Sequence, residues 1–336
     1  MKIIRQLKML GVTSLAGVVL AACGASGSSA SSSSSSGSSG KSYTFELITK
    51  SNASPYWLAV KEGADAAAKK YGVKVNFEAP ASGTDLQSQI SMVQNATTAH
   101  VSGIILAAQN PSALLGPVKA AQAQGIPVVT VDSGISPNIS KSFLATSNVS
   151  SSAQLAKYVA KKAGGSGQYA IVDFNQEAST GVLRPKGFKQ GMASFPGFKF
   201  VGMQLSNNSI PTARSEATAF LVSHPNIKVI FGANDRSAIG VAEAVQAQHL
   251  VGKVIVAGFD ADPGEVNLIK SGAISASVLQ SPYQMGYQAV QELKSIKAGK
   301  SVPKRVDTPY KIVTQKNIGS PSSIKAIQQY IPNYKG

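Results

Sequence analysis

The chain carries one pattern twice, and that repeat limits its fold more than any other feature. The first copy opens "YTFELITKSNASPYWLAVKEGADAAAKKYGVKVNFEAP" and closes "SGIILAAQNPSALLGPVKAAQAQGIPVVTVDSG". The second opens "QYAIVDFNQEASTGVLRPKGFKQGMASFPGFKFVGMQLS" and closes "IKVIFGANDRSAIGVAEAVQAQHLVGKVIVAGFDA". Each starts with a short β-rich run, a polar loop and a helix-like run containing Gly. A second strand and helix follow, then an apolar strand ending in Asn110 or Asn234. Last come an Ala-rich helix and a strand ending in Asp132 or Asp260. Strands separated by helix-length patterns read as βαβ units of a parallel sheet. The runs "GIILAA", "IPVVTV", "KVIFGA" and "VIVAGF" are apolar throughout, as a sheet covered on both faces requires. The expectation is an α/β chain of two similar, doubly wound lobes facing each other.

Ligands of open parallel sheets sit outside the carboxyl ends of the strands, so the polar residues closing those strands are the ones to weigh. Tyr56 and Trp57 follow the first strand, and Trp57 is the only Trp. An aromatic face can stack on a sugar ring; the bland alternative is a core aromatic covering a helix start. Asp132 and Asp260 close their strands as ligand acceptors or as turn and cap carboxylates. In "GANDRSAIG", Asp235 is expected as the helix cap, which leaves Asn234 for the ligand. Arg184, read as opening the first helix of the second half, offers a planar fork suited to adjacent hydroxyls or to a carboxylate; a surface ion pair is its alternative. Gln280 ends an apolar strand, where it serves a cleft or a connecting backbone.

Catalytic signatures are missing. There is no G-x-S-x-G elbow, H-E-x-x-H, P-loop or dinucleotide fingerprint. His100, His224 and His249 stand singly, without metal-ligand spacing. No enzyme activity, cofactor or metal is therefore expected, although a carboxylate pair could still work as acid and base. The formal charge is +16, yet Lys and Arg occur in runs no longer than two and without a nucleic-acid-binding signature. Attraction to an anionic membrane or wall is the milder reading, and no nucleic acid partner is expected.

The amino end supplies an address. Lys2, Arg5 and Lys8 precede an apolar run from Met9 to Leu20, too short for a good transmembrane span. Small residues then lead to Cys23, the only cysteine, which cannot form an internal disulfide. The segment Leu20-Ala21-Ala22-Cys23 resembles the bacterial lipobox, in which cleavage before the Cys is followed by lipidation. Residues 1–22 are read as the signal peptide and 23–42 as the lipidated Cys and a Ser/Gly tether. Such a tether is too polar to order itself and reaches roughly 25 Å by the flexible-chain estimate. A long serine tether points to an outer-face anchor on the single membrane of a Gram-positive bacterium.

Lipobox, tether and duplicated halves with "PYW", "GIPVVTVDSG", "GAND", "VAGFDADP" and "QSPYQMGY" resemble the substrate-binding lipoproteins of sugar ABC importers. The resemblance is to the ribose-binding, cluster-B type with the type I periplasmic-binding fold. It implies a three-strand hinge near Thr146–Asn148, Gln280–Pro282 and Thr308–Lys311. The lobes would be 43–146 plus 281–309 and 147–280 plus 310–333. By motif it carries ligand-binding roles to Tyr56, Trp57, Asp132, Thr146, Arg184, Asn208, Asn234, Asp260 and Gln280. It also implies a monomer that delivers a sugar to an ABC permease and its ATPase. Ribose binders have an Arg after the first strand-end Asp, where this chain has Ser133, and an Asn where it has Ser54. The expected ligand is therefore a neutral pentose, hexose or cyclic polyol rather than ribose in particular. Competing classes are a signalling receptor for a furanose-like autoinducer and an extracellular α/β enzyme.

Overall fold

The computed structural model describes residues 42–52 and 54–336. The segment read as a signal peptide, Cys23 and nearly all of the segment read as a tether lie outside the described residues. Strands and helices alternate: β1 (Thr44–Ile48), α1 (Pro55–Tyr71), β2 (Lys74–Glu78), α2 (Leu86–Thr98), β3 (Gly103–Leu106), α3 (Leu115–Ala123), β4 (Val128–Val131) and β5 (Ser142–Thr146). The second half follows with α4 (Asn148–Lys162), β6 (Ser166–Asp173), α5 (Ser179–Met192), β7 (Gly197–Leu205), α6 (Ile210–Ser223), β8 (Ile227–Gly232), α7 (Asp235–Ala247), β9 (Ile255–Phe259), α8 (Pro263–Ser271) and β10 (Ala276–Leu279). Then come α9 (Pro282–Lys297), β11 (Arg305–Thr308), β12 (Lys311–Thr314) and α10 (Pro321–Ile327).

Two six-stranded sheets result, ordered β11-β5-β4-β3-β1-β2 and β12-β10-β9-β8-β6-β7. The sequence repeat is thus a repeat of topology, each strand of one sheet having its counterpart in the other. All pairings in the first sheet are parallel. In the second, β12 alone is antiparallel, to β10. The reason is connectivity: β11 runs toward the facing lobe, so the chain enters the second sheet at its cleft end and must run away from it. The chain passes between the sheets at Ser147, at Gln280–Ser281 and at Pro309–Tyr310. The four apolar runs named above are β3, β4, β8 and β9, each buried along its whole length apart from Lys228.

Local sequence explains how the helices sit. Pro55 opens α1, where a missing N–H costs nothing, and Gly72 closes it in the left-handed conformation at φ 62°. The glycines of the repeated helix runs serve close crossings. A Cβ on Gly63 of α1 would stand 1.9 Å from the Tyr283 carbonyl oxygen of α9, and one on Gly187 of α5 would stand 2.3 Å from that of Val149 in α4. Each crossing packs the lobe's first helix on a helix that follows a passage between sheets. The glycines thereby fix the strand ends relative to the cleft.

Candidate functional site

Both lobes point the carboxyl ends of their parallel strands into the gap between them. Lys50 follows β1, Asp132 follows β4, Phe174 follows β6, Asn234 follows β8, Asp260 follows β9 and Gln280 follows β10; all line one interlobe cavity. Asp132 and Asp260 occupy equivalent positions of the repeat and share a strained backbone, with φ 58° and 91°. Left-handed geometry costs a non-glycine residue roughly 1–3 kcal/mol and persists where surrounding contacts over-determine it. Here it turns each carboxylate toward the cavity at the last residue before the chain leaves the sheet.

Arg184 occupies the centre of the site. Its Nε donates to Asn148 Oδ1 at 2.9 Å and its Nη1 to the Ala233 carbonyl at 2.9 Å. The same guanidinium stands 3.9 Å from Asp132 in the first lobe and 3.6 Å from Asp260 in the second. It lies over Phe259, 3.8 Å from the ring centroid, so packing and hydrogen bonds hold the fork in place. Helix α5 begins at Ser179, so Arg184 sits in its second turn rather than at its opening. Pro185 lacks the N–H that would reach back to Gly181; the Gln176 side chain satisfies the Gly181 carbonyl instead, at 2.9 Å.

The remaining polar groups form a chain around the cavity. Tyr56 Oη donates to Asp132 Oδ1 at 3.1 Å, and the Tyr56 ring meets Trp57 edge to face at 4.8 Å. Lys50 Nζ donates to Asp132 Oδ2 at 3.0 Å and also to the Ser133 hydroxyl, and it reaches Thr180 of the second lobe at 3.4 Å. Gln280 Nε2 donates to Asp260 Oδ1 at 2.6 Å, while its Oε1 is buried with no partner among the described residues. Asn234 Nδ2 donates to Asn208 Oδ1 at 2.8 Å.

Electrostatics separate the carboxylates. Burial pushes the Asp132 carboxyl up, but Lys50 and Arg184 outweigh it, so it lies below the ordinary value and is ionised. Burial raises Asp260, opposed by Arg184 and by the Gln280 amide. Asp235, buried beside the charge of Asp260, is pushed up to about 7. Burial lowers Lys50, against the raising influence of Asp132.

Of the residues expected at the site, Tyr56, Trp57, Asp132, Arg184, Asn208, Asn234, Asp260 and Gln280 all line this cavity. Thr146 does not: its hydroxyl is fully buried without a partner among the described residues, one residue short of the passage between sheets. Its carbonyl is taken by Asn148 and Arg305. The cap assignment in "GANDRSAIG" is reversed. Asn234 is the N-cap, its Oδ1 accepting from Ser237 N at 3.0 Å, because its extended backbone is that of a cap; it faces the cavity as well. Asp235 is the first helical residue and also lines the cavity.

Lys50, Thr180 and Asp235 escaped the sequence reading. The strand-end rule applied to Asp132 would have reached Lys50 too, two residues beyond β1. Trp57 and Tyr56, offered as stackers or as core, are both: they line the cavity and belong to a large apolar cluster that spans both lobes.

Residues 45–301 match the model of the periplasmic binding protein domain. The chain is 31% identical to the D-allose-binding periplasmic protein of Escherichia coli over 80% of its own length and 89% of that protein's. Among solved structures, an ABC transporter solute-binding protein from Agrobacterium vitis with bound D-fucose is similar at TM-score 0.80 and 33% identity, covering 83% of this chain and 98% of the other. A carbohydrate transporter solute-binding protein from Agrobacterium radiobacter, in complex with D-arabinose, is similar at TM-score 0.82 and 32% identity, covering 86% and 100%.

Proposed function

The chain belongs to the periplasmic binding protein domain family, in its ribose-binding-like, sugar-binding branch, and we propose on that premise that it captures a neutral sugar between its lobes for an ABC permease. It is a binding protein rather than an enzyme, as its relatives are. The observation that carries the proposal is the pairing of charges in the cleft. Arg184 is shared by Asp132 and Asp260 from opposite lobes, and Lys50 is engaged by Asp132. Three cations, Lys50, Arg184 and Arg236, line the cleft beside three carboxyls, Asp132, Asp235 and Asp260. With as many carboxyls as cations around it, the cleft offers an anion little net attraction. Carboxylates accept from sugar hydroxyls, while Asn234, Asn208 and Gln280 both donate and accept. Trp57 and Tyr56 supply the apolar wall that a ring's C–H face needs. The relatives that bind allose, fucose and arabinose support a pentose, hexose or cyclic polyol.

In this reading the lobes are 43–146 with 281–309 and 147–280 with 310–333, and the three passages between the sheets act as a hinge. Sugar contacts with both lobes stabilise the closed form and shift the population toward it. Thr146, at one passage, serves the hinge rather than the ligand. Cleavage after Ala22 and lipidation of Cys23 would hold a monomeric receptor to the outer face of a Gram-positive cell membrane, within reach of its permease and ATPase. Two acyl chains suffice for a stable anchor. The ligand is tested by mass spectrometry of the small molecule released from protein purified from its host. A neutral hexose, pentose or polyol at one per chain is expected, and a sugar phosphate or amino acid overturns the assignment. The anchor is tested by radiolabelled palmitate, which should label the wild type and not Cys23→Ser.

A further inference from the structure

Three of the sixteen acidic residues, Asp132, Asp235 and Asp260, line the cleft, and the outer end of the first sheet carries lysine. At the amino ends of the first sheet's strands, segments 66–76, 98–105, 122–128, 138–143 and 293–306 contain no Asp or Glu. Lys69, Lys70, Lys74, Lys294, Lys297 and Lys300 cluster there; Lys69, Lys70, Lys74 and Lys300 are exposed, and Lys294 and Lys297 are half-buried. Aromatic rings are interleaved with them: Lys294 Nζ stands 4.7 Å and Lys297 Nζ 5.7 Å from the Tyr43 ring centroid, and Lys70 Nζ lies 5.5 Å from Tyr71 and 5.6 Å from Tyr287. The chain enters the fold at this pole, since Tyr43 immediately precedes β1.

We propose that this lysine–tyrosine pole is a docking surface for the anionic headgroups of the membrane to which the chain is tethered. The proposal rests on the tether reading above. Three observations point to one occupant. Lysines outnumber the acids there, and the nearby Glu46, which interacts with Lys74, and Glu292 are buried. Rings with an apolar body and a polar tip stand among the lysines, a composition that suits the boundary between headgroup and acyl chain. In the tether reading, the tether attaches at this end, beside Tyr43, so this pole has the shortest path to the bilayer. The far pole, with Lys161, Lys228 and Lys253 near its strand starts, is also basic but lies at the opposite end of the fold from Tyr43. Docked in this way, the receptor holds its strand ends and cleft away from the bilayer and open to incoming solute, a resting pose from which the permease must recruit it.

The test separates the pole from the anchor. The chain from Gly24 onward retains all of 42–336, which forms one compact unit containing every described apolar core. With an amino-terminal His tag it is held on vesicles bearing nickel-chelating lipid, which stands in for the acyl anchor. It contains no cysteine, so a dye is placed at Ser301→Cys beside the near pole or at Ala247→Cys in the last turn of α7, toward the far one. Energy transfer to an acceptor lipid should be higher from residue 301 than from residue 247 on phosphatidylglycerol vesicles. The difference should be lost on phosphatidylcholine and in about 1 M salt, where the screening length is ~3 Å. It should also be lost in Lys70→Glu with Lys294→Glu and Lys297→Glu, a variant whose sugar-induced melting shift reports an intact fold. Equal transfer from the two sites on phosphatidylglycerol, or an unchanged difference in the triple variant, overturns the proposal. So does binding confined to an anionic wall polymer, with none to phosphatidylglycerol. Palmitate labelling decides the anchor separately, so either reading can fail while the other stands.

Discussion

Replacing Arg184 by Met removes the one group that touches both lobes' strand-end carboxylates. The guanidinium faces Asp260 at 3.6 Å and Asp132 at 3.9 Å, each attraction being about 4 kcal/mol at an effective dielectric near 20. Desolvation of the arginine offsets much of this, and removing one partner of a buried pair costs about 3–5 kcal/mol in net stability. Asn148 Oδ1 and the Ala233 carbonyl would also lose their donor. Asp132 keeps Lys50, but Asp260 keeps only the Gln280 amide and the weaker pull of Lys50. The variant's Asp260 is therefore pushed further above its ordinary value than in the wild type, where Arg184 opposes burial. An acid whose folded pKa lies above its unfolded one contributes stability at low pH and loses it as pH rises through the folded value. The loss caused by Arg184→Met should thus be larger at pH 8 than at pH 5. Urea unfolding at both pH values measures it. A loss below about 1 kcal/mol, or one greater at pH 5, would show that Arg184 behaves as a solvated surface residue and refute the reasoning.

Other consequences follow from single residues. Trp57→Ala should weaken sugar binding by a few kcal/mol through lost stacking area, read by calorimetry; unchanged affinity would make Trp57 a core residue only. Gly63→Val must displace the Tyr283 carbonyl, which a Cβ would meet at 1.9 Å, so thermal unfolding should show a loss of several kcal/mol by overpacking, and a stability equal to wild type would contradict the close α1–α9 crossing. Asp235, pushed up to about 7 by burial and by Asp260, contributes stability as a neutral acid that is lost as pH rises through 7. Asp235→Asn should therefore gain up to about 4 kcal/mol over wild type at pH 8 and nothing at pH 4, while an equal effect at both would show that the group does not titrate there.

The architecture was legible because burial on both faces leaves apolar runs unbroken, and because a duplicated βα pattern admits few arrangements. Asp132, Asp260 and Gln280 were legible for the same reason: polar residues that close buried strands have only the cleft to face. The misses have a common physical cause. Lys50 lies two residues past β1 and Thr180 in the first turn of α5, and a long side chain or a helix's first turn decides where they reach. Asn234 and Asp235 are adjacent, and which one caps the helix depends on a backbone angle that residue type alone leaves open. Thr146 carried a role by analogy of motif, yet its side chain is enclosed at the passage between the sheets.

The measurement closest to the central claim is a calorimetric and thermal-shift panel of neutral pentoses, hexoses and inositols beside sugar phosphates and amino acids. A true ligand at a hundred times its dissociation constant adds about 2.7 kcal/mol of stability. The account predicts such a shift for at least one neutral sugar or polyol, reduced in Trp57→Ala, and none for the charged compounds. A shift with a sugar phosphate or an amino acid, while every neutral sugar and polyol leaves the melting curve unmoved, would contradict it.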